Sequence, residues 1–335
     1  MNNNAPKATI LITGGAGFIG SHLSDHLLTL GYRVKVIDNL SNGNLENLKE
    51  AQSNPNFSFV KGDILDKEMC MEVAKDCNYI FHLACLGVRH SIHSPFENHR
   101  VNAEGTLNIL EAARQNKIDH FFYISTSEIY GRTTSFPITE EAATAPLTVY
   151  GASKLVGEHY TNAYNECYQL PTTVLRIFNN YGPRAHYEGD SGEVIPRSIV
   201  RILYNEKPII FGDGQITRDF FFVKDTARAL ADLIGNKNIN YKTFNIGTGV
   251  EISMKELLTT ILKMMDRVEL GLEYLPDRPA DVPRLWVKAD KFYAATNFKA
   301  NYSFEDGLRE TINYYIDLSN KQNLIEAVKV QNWEK

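Results

Sequence analysis

Residues 10–20 read Ile-Leu-Ile-Thr-Gly-Gly-Ala-Gly-Phe-Ile-Gly: an apolar run that breaks into glycine at Gly14, Gly17 and Gly20. An amphipathic segment, Ser21 to Leu30, follows. The pattern predicts strand, tight turn and helix. In such a turn the first glycine makes the bend and the second lets the backbone approach a pyrophosphate. The third lets the helix pack close on the strand. The N–H groups at the helix start, around Phe18 and Ile19, then face an anion with the helix dipole behind them. A second strand, Val34 to Ile37, ends in Asp38 and Asn39. An acid at that place accepts both ribose hydroxyls of an adenosine and repels a 2′-phosphate, so the expected cofactor is NAD rather than NADP. The bland alternative is an ordinary βαβ turn with a solvated aspartate.

The chain has 335 residues, 43% of them hydrophobic, enough for a large core and for two domains. A net charge of −5 offers no basic excess for nucleic acid, so any phosphate site must be local. The four cysteines show no CxxC spacing, and no metal is expected. The first seven residues do not read as a signal peptide, and no apolar run reaches membrane-spanning length. A cytoplasmic protein with reduced thiols is expected.

Further strands are predicted at Phe57–Lys61, Tyr79–Leu83, His120–Ser125 and Thr172–Ile177, alternating with helices. The third strand ends at Gly62-Asp63-Ile64. Asp63 can accept from an adenine amino group while Ile64 packs on the ring, or it can cap the helix Asp66–Lys75. Leu83 and Ala84 end the fourth strand and leave room for a ligand; His82 reads as a packed core histidine. One helix is expected from Phe96 to Asn116. The fifth strand runs into Thr126-Ser127-Glu128, polar side chains at a strand's C-terminal end, where sites of open α/β sheets lie. Tyr150 and Lys154 then share one face of a helix reaching about Tyr168.

The expected fold is α/β: a Rossmann-like doubly wound parallel sheet over residues 1–178, with a smaller α+β substrate domain over 179–335. The chain is expected to return to the sheet within 219–250. The tail from Lys321 reads as polar and peripheral.

A tyrosine hydroxyl is a poor base, with a reference pKa of about 10. A neighbouring lysine favours the phenolate, which can take a proton from a substrate hydroxyl as hydride leaves the carbon. Thr126 can bind the same hydroxyl. The alternative is an exposed Tyr–Lys pair on an amphipathic helix.

With these residues assembled, the chain resembles the extended short-chain dehydrogenase/reductases that act as nucleotide-sugar epimerases and dehydratases. The resemblance covers nearly the whole chain. It is carried by TGGAGFIG at 13–20, Asp38, GDI at 62–64, HLAC at 82–85, STSEIYG at 125–131, YGASK at 150–154, FNNYGPR at 178–184 and TRDFFFV at 217–223. It implies NAD as cofactor, a nucleotide-diphosphate sugar as substrate, and Thr126, Tyr150 and Lys154 as the catalytic set. It also implies Asn179, Arg218 and Arg278 near the diphosphate, and a homodimer built on the helices near 97–115 and 150–168. Arg218 could equally pair with Asp219.

Members of the family oxidise C4 and then epimerise, dehydrate or decarboxylate. Glu128 resembles the dehydratase and decarboxylase pattern and could be a C5 base or a supporting hydrogen-bond partner. Ser127 stands where many dehydratases carry an acid. Gly87-Val88-Arg89 resembles the loop of hexuronate-type 4-epimerases, and residues 278–282 resemble an epimerase pattern near the diphosphate. Arg184 could meet a substrate carboxylate or be structural. The greater number of matching segments favours a 4-epimerase, with 4,6-dehydratase next and decarboxylase third. A dehydrogenase that releases a keto sugar, or an inactive binding module, stands outside these three.

Overall fold

A computed structural model describes residues 6–278 and 281–333. Seven strands form one parallel sheet: β1 (Thr9–Thr13), β2 (Arg33–Asp38), β3 (Phe57–Lys61), β4 (Tyr79–His82), β5 (His120–Thr126), β6 (Thr172–Ile177) and β7 (Lys242–Ile246). Their order is β7-β6-β5-β4-β1-β2-β3. The order reverses between β1 and β4, which opens a crevice at the strands' C-terminal ends. Both sheet faces are covered, so the strands read as nearly continuous apolar runs. Ile10, Ile12, Phe81 and Phe122 meet α1 (Phe18–Thr29) on one face. Leu11, Ile80, Phe121 and Tyr123 face the opposite layer. That layer includes α2 (Gly105–Gln115), with α3 (Val149–Tyr168) packed against α2 and β5.

A second hydrophobic cluster joins α4 (Val194–Leu203), α6 (Met254–Met264) and α8 (Phe304–Ser319). Between them the chain returns to the sheet. Its helix α5 (Val223–Ala231) packs along α1, and β7 pairs with β6. A second return was not expected: α7 (Asp290–Thr296) also packs on β7, with Phe292 against Phe244.

Two segments differ from the sequence reading. The single helix expected over Phe96–Asn116 is interrupted by a π-helical turn at Arg100–Glu104. The turn coincides with an asparagine clamp on the loop after β4. Asn102 accepts from Leu86 N at 2.8 Å and donates to Leu86 O at 3.0 Å, and Asn98 donates to the same carbonyl. The tail is not peripheral. Leu324 is fully buried, and the Arg197 guanidinium donates to the carbonyls of Lys329 and Val330 at 2.6 and 2.8 Å. Among the described residues no helix is long and apolar enough to cross a membrane.

His82 is a core residue, as read from the sequence. It is fully buried between Thr13 Oγ1 (2.7 Å) and Thr106 Oγ1 (2.9 Å), and burial lowers its pKa to about 3. A histidine with a depressed folded pKa contributes stability above its unfolded value near 6.5, and loses it as pH falls toward 3. His82→Gln should therefore lower stability at pH 7 by about 1–3 kcal/mol. The deficit should shrink by about 1.4 kcal/mol for each pH unit below 6. Urea midpoints at pH 7, 6 and 5 check this; a constant deficit would mean that His82 titrates alike in both states.

Candidate active site

A cleft of about 460 Å³ runs from the glycine turn across the ends of β4 and β5 to the α4 side. At one end lies the turn after β1. Gly14 has φ +68°, and a Cβ there would stand 2.7 Å from Ala84 Cα. A Cβ on Gly20 would strike Gly14 O at 2.5 Å, so α1 and the turn are in backbone contact. Around Gly17 only Gly14 O lies within 4 Å, which leaves its outer side open to the cleft. Gly17 caps α1 with no side-chain hydrogen bond, and no acid sits in the first turn. Anion-facing N–H groups are the result.

Asp38, at the end of β2, accepts from Ala16 N at 3.0 Å and from Leu40 N at 2.8 Å. A carboxylate has about four lone-pair sites, so two remain for ribose hydroxyls. Burial raises its pKa. Asn39 donates to Asp63 Oδ2 at 3.0 Å, and Ile64 lines the cleft with Leu83 and Ala84. Asp63 does not cap the following helix; Asp66 does, accepting from Met69 N at 3.0 Å. The shape and donor set of this end fit NAD.

Thr126, Ser127, Glu128, Tyr150, Lys154 and Cys85 meet at the middle of the cleft. Thr126 lies beside the Tyr150 phenol and favours its ionised form, but burial holds that phenol well above the ordinary value. Lys154 Nζ donates to Ile124 O at 2.6 Å and lies 4.3 Å above the Tyr123 ring. Burial lowers its pKa. The expected stabilisation of the phenolate by Lys154 is thus outweighed here by desolvation of Tyr150.

Charged side chains gather beyond them. Arg218 donates to Asp281 Oδ1 at 2.7 Å and to Val282 O at 2.7 Å; Arg278 holds Asp281 Oδ2 at 3.0 Å. Arg218 therefore pairs with Asp281. Asp219 instead accepts from Thr248 and Gly249. Arg89 and Asn179 line the same stretch. Arg89 stands near Glu193, Arg278, Asp281 and Glu128. Burial raises the pKa of Glu128 although Arg218, Arg89 and Arg278 oppose it.

Arg184 is the candidate that falls outside. It does not line the cleft, and its guanidinium meets Asp25 Oδ2 at 2.6 Å on α1. His22 on the same helix contacts Pro183 O at 2.9 Å, so this corner is a packing joint between helix and loop. Of residues 278–282, Pro279 and Ala280 lie outside the described residues. Sequence reasoning missed Glu193, Asp190 and Trp333, which also line the cleft. The available signal for the last was a tryptophan following Leu324, Ile325, Val328 and Val330 in the tail.

A doubly wound sheet with a dinucleotide cradle, a buried Thr–Tyr–Lys set and guanidiniums opposite defines a class: a dehydrogenase-type enzyme that acts on a hydroxyl of an anionic substrate. The comparisons narrow it. Residues 11–311 match the family described as GDP-mannose 4,6 dehydratase. A putative UDP-glucose 4-epimerase of Methanocaldococcus jannaschii is 38% identical over 312 residues, covering 91% of this chain and 97% of that one. A dTDP-glucose 4,6-dehydratase of Neisseria gonorrhoeae is 34% identical, covering 93% and 96%. The crystal structure of a UDP-glucuronic acid 4-epimerase from Bacillus cereus, in complex with UDP-glucuronic acid and NAD, superposes with a TM-score of 0.84. It is 32% identical and covers 92% of this chain and 99% of that one. The chain belongs to this family of NAD-dependent nucleotide-sugar epimerases and dehydratases.

Asp38→Ala should weaken NAD binding by about 10- to 100-fold, since it removes a charged acceptor. It should also narrow the preference for NAD over NADP. Calorimetric titration with both dinucleotides measures this, and an unchanged preference would take Asp38 out of the adenosine site.

Proposed function

We propose that the protein is a nucleotide-diphosphate-hexose or -hexuronate 4-epimerase. NAD⁺, when bound, supplies the hydride acceptor and a positive ring that favours the Tyr150 phenolate. Tyr150 takes the proton of the sugar 4-hydroxyl as C4 loses its hydrogen with the bonding pair. Thr126 orients that hydroxyl, and Lys154 holds the ribose beside it. The 4-keto sugar turns over in the cleft and accepts hydride on its other face, and Tyr150 returns the proton to the C4 oxygen. Arg218 and Arg278 grip the diphosphate by charge-assisted forks while the sugar turns, and Asn179 borders the same stretch of cleft.

The observation that carries epimerisation over dehydration is the residue after Thr126, a serine rather than a carboxylic acid. Elimination of water needs a base at C5 and an acid at O6. Ser127 takes the place beside Thr126, and both oxygens of Asp281 are held by arginines. Asp190 is taken up by Lys329 and His93 and Glu193 stands near Arg89, which leaves Glu128 to serve both steps. Its place two residues past Thr126, at the middle of the cleft, supports a second reading, a 4,6-dehydratase in which Glu128 passes the C5 proton to the leaving hydroxyl.

The enzyme is further proposed to work in the cytoplasm as a homodimer. Phe96 (87% exposed), Leu107 and Tyr168 are large apolar side chains left open on or beside the helices near 97–115 and 150–168. Phe96→Glu should shift the protein to monomer in light scattering, and an unchanged mass would move the interface elsewhere.

Mass spectrometry and NMR of products from UDP-, GDP-, CDP- and dTDP-sugars, uronates included, test the reaction. A new sugar at unchanged mass is expected; loss of water would establish the second reading. Tyr150→Phe should lower turnover about 100- to 10,000-fold while retaining NAD. Glu128→Gln should keep the product and lose less than about tenfold in rate if the residue does not act as a base.

A further inference from the structure

Beyond Arg218 and Arg278 the cleft changes character. Val194, Pro196, Ile216, Met254 and Trp333 give it an apolar wall beside Arg278. Arg278 lies 5.3 Å from the Phe211 ring centre, and Trp333 packs edge-on against the same ring at 5.0 Å. The guanidinium and the indole thus flank one phenylalanine.

Trp333 is brought there by a strap, residues 324–333, that lies beyond residue 311, where the family match ends. The strap is tied down at several points. Arg197, 6% exposed, spends its guanidinium on the carbonyls of Lys329 and Val330. Asn332 is fully buried and donates to Gly192 O at 3.0 Å. Lys329 pairs with Asp190 at 3.0 Å, and Asp190 also meets His93 Nε2 at 2.7 Å. A buried cation with only carbonyl acceptors fixes the strap more firmly than an apolar contact alone, because releasing it would leave its N–H groups unsatisfied. Arg197 Nε and Asn332 Oδ1 are buried without a partner among the described residues.

We propose that this strap is the outer wall of the nucleoside subsite, and that Trp333 supplies the aromatic face on which the base of the nucleotide sugar lies. The inference rests on the nucleotide-sugar reading above. A diphosphate held by Arg218 and Arg278 with its sugar toward Tyr150 sends its nucleoside the other way, to the apolar wall. Indole is the strongest aromatic partner for a flat base, and stacking is tolerant of which base is bound. Trp333 then governs how tightly the nucleotide is held and leaves the steps at C4 alone.

The chain has two tryptophans, so Trp286→Phe leaves Trp333 as the single indole emitter. In that variant, with NAD saturating, titration with UDP, dTDP and GDP should quench the emission saturably. In Trp333→Phe the remaining Trp286 emission should stay constant. Trp333→Ala should weaken nucleoside diphosphate binding by about tenfold and raise KM equally, with kcat within twofold, and Trp333→Phe should recover most of the loss. Nucleotide that binds by calorimetry without quenching Trp333, or an affinity unchanged in Trp333→Ala, overturns the strap's role and leaves the nucleotide-sugar reading standing. No calorimetric binding of any of the three to the native protein overturns the nucleotide-sugar reading, and the strap's role with it.

Discussion

Glu158 and Arg176 form an ion pair with almost no water around it, and the middle of the cleft is built on that pair. Glu158 is 3% exposed and meets Arg176 Nη2 at 2.7 Å and Nε at 3.0 Å. Two charges taken this far from solvent hold together only when every remaining hydrogen-bonding group is satisfied. Here they are. Ser125 donates to Glu158, and Arg176 also reaches Tyr130 at 2.8 Å and Glu140 O at 3.1 Å. Tyr130 continues to Asn245 on β7 at 2.7 Å. The network ties β5, β6, β7 and α3 into one unit. Ser125 precedes Thr126, and Glu158 lies one turn beyond Lys154 on α3. The backbone that presents Thr126 and Lys154 is therefore fixed by charges that the chemistry never touches.

The two halves of the cleft use different physics. The NAD half is mostly backbone: glycines leave room for a close approach, a helix start presents N–H groups, and Asp38 and Asp63 bring the charge. Such a site depends on shape, which is why a Cβ at Gly14 or Gly20 has nowhere to go. The opposite half is built from long side chains, Arg89, Arg218 and Arg278, set against Glu128 and Asp281. Its specificity can change by side chain without disturbing the sheet, and the family holds one fold while its reactions diverge.

That division also explains what the sequence made legible. β3 and β6 fall on the residues expected, β6 buried throughout and β3 half-buried at the sheet's edge, and the glycine turn follows from steric rules. The two-residue strands Thr217–Arg218, Ile252–Ser253 and Arg284–Leu285 leave no periodicity to read. Side-chain partners were harder still. Asp219 is adjacent to Arg218 in sequence, yet Asp281, 63 residues away, is its partner. Arg184 sits in a motif full of cleft residues but turns to α1, because its φ of +65° redirects the chain there. Trp333 lies in a tail that reads as polar although it carries Leu324, Ile325, Val328 and Val330; Leu324 and Asn332 are the buried anchors that hold it in place, and nothing local announces the asparagine.

The balance around Glu128 bears on the choice between reactions. Three guanidiniums lie near it, and still burial, helped by Asp281, carries its pKa upward. A diphosphate arriving at Arg218 and Arg278 brings negative charge to the same groups that now favour ionisation. It offsets their field, and Glu128 is pushed further toward its protonated form. Ionisation, which a base at C5 requires, then becomes harder. Substrate binding itself thus works against Glu128 as a base and in favour of a supporting role. That is the role the proposed 4-epimerase asks of it, with proton exchange at the C4 oxygen assigned in that proposal to Tyr150.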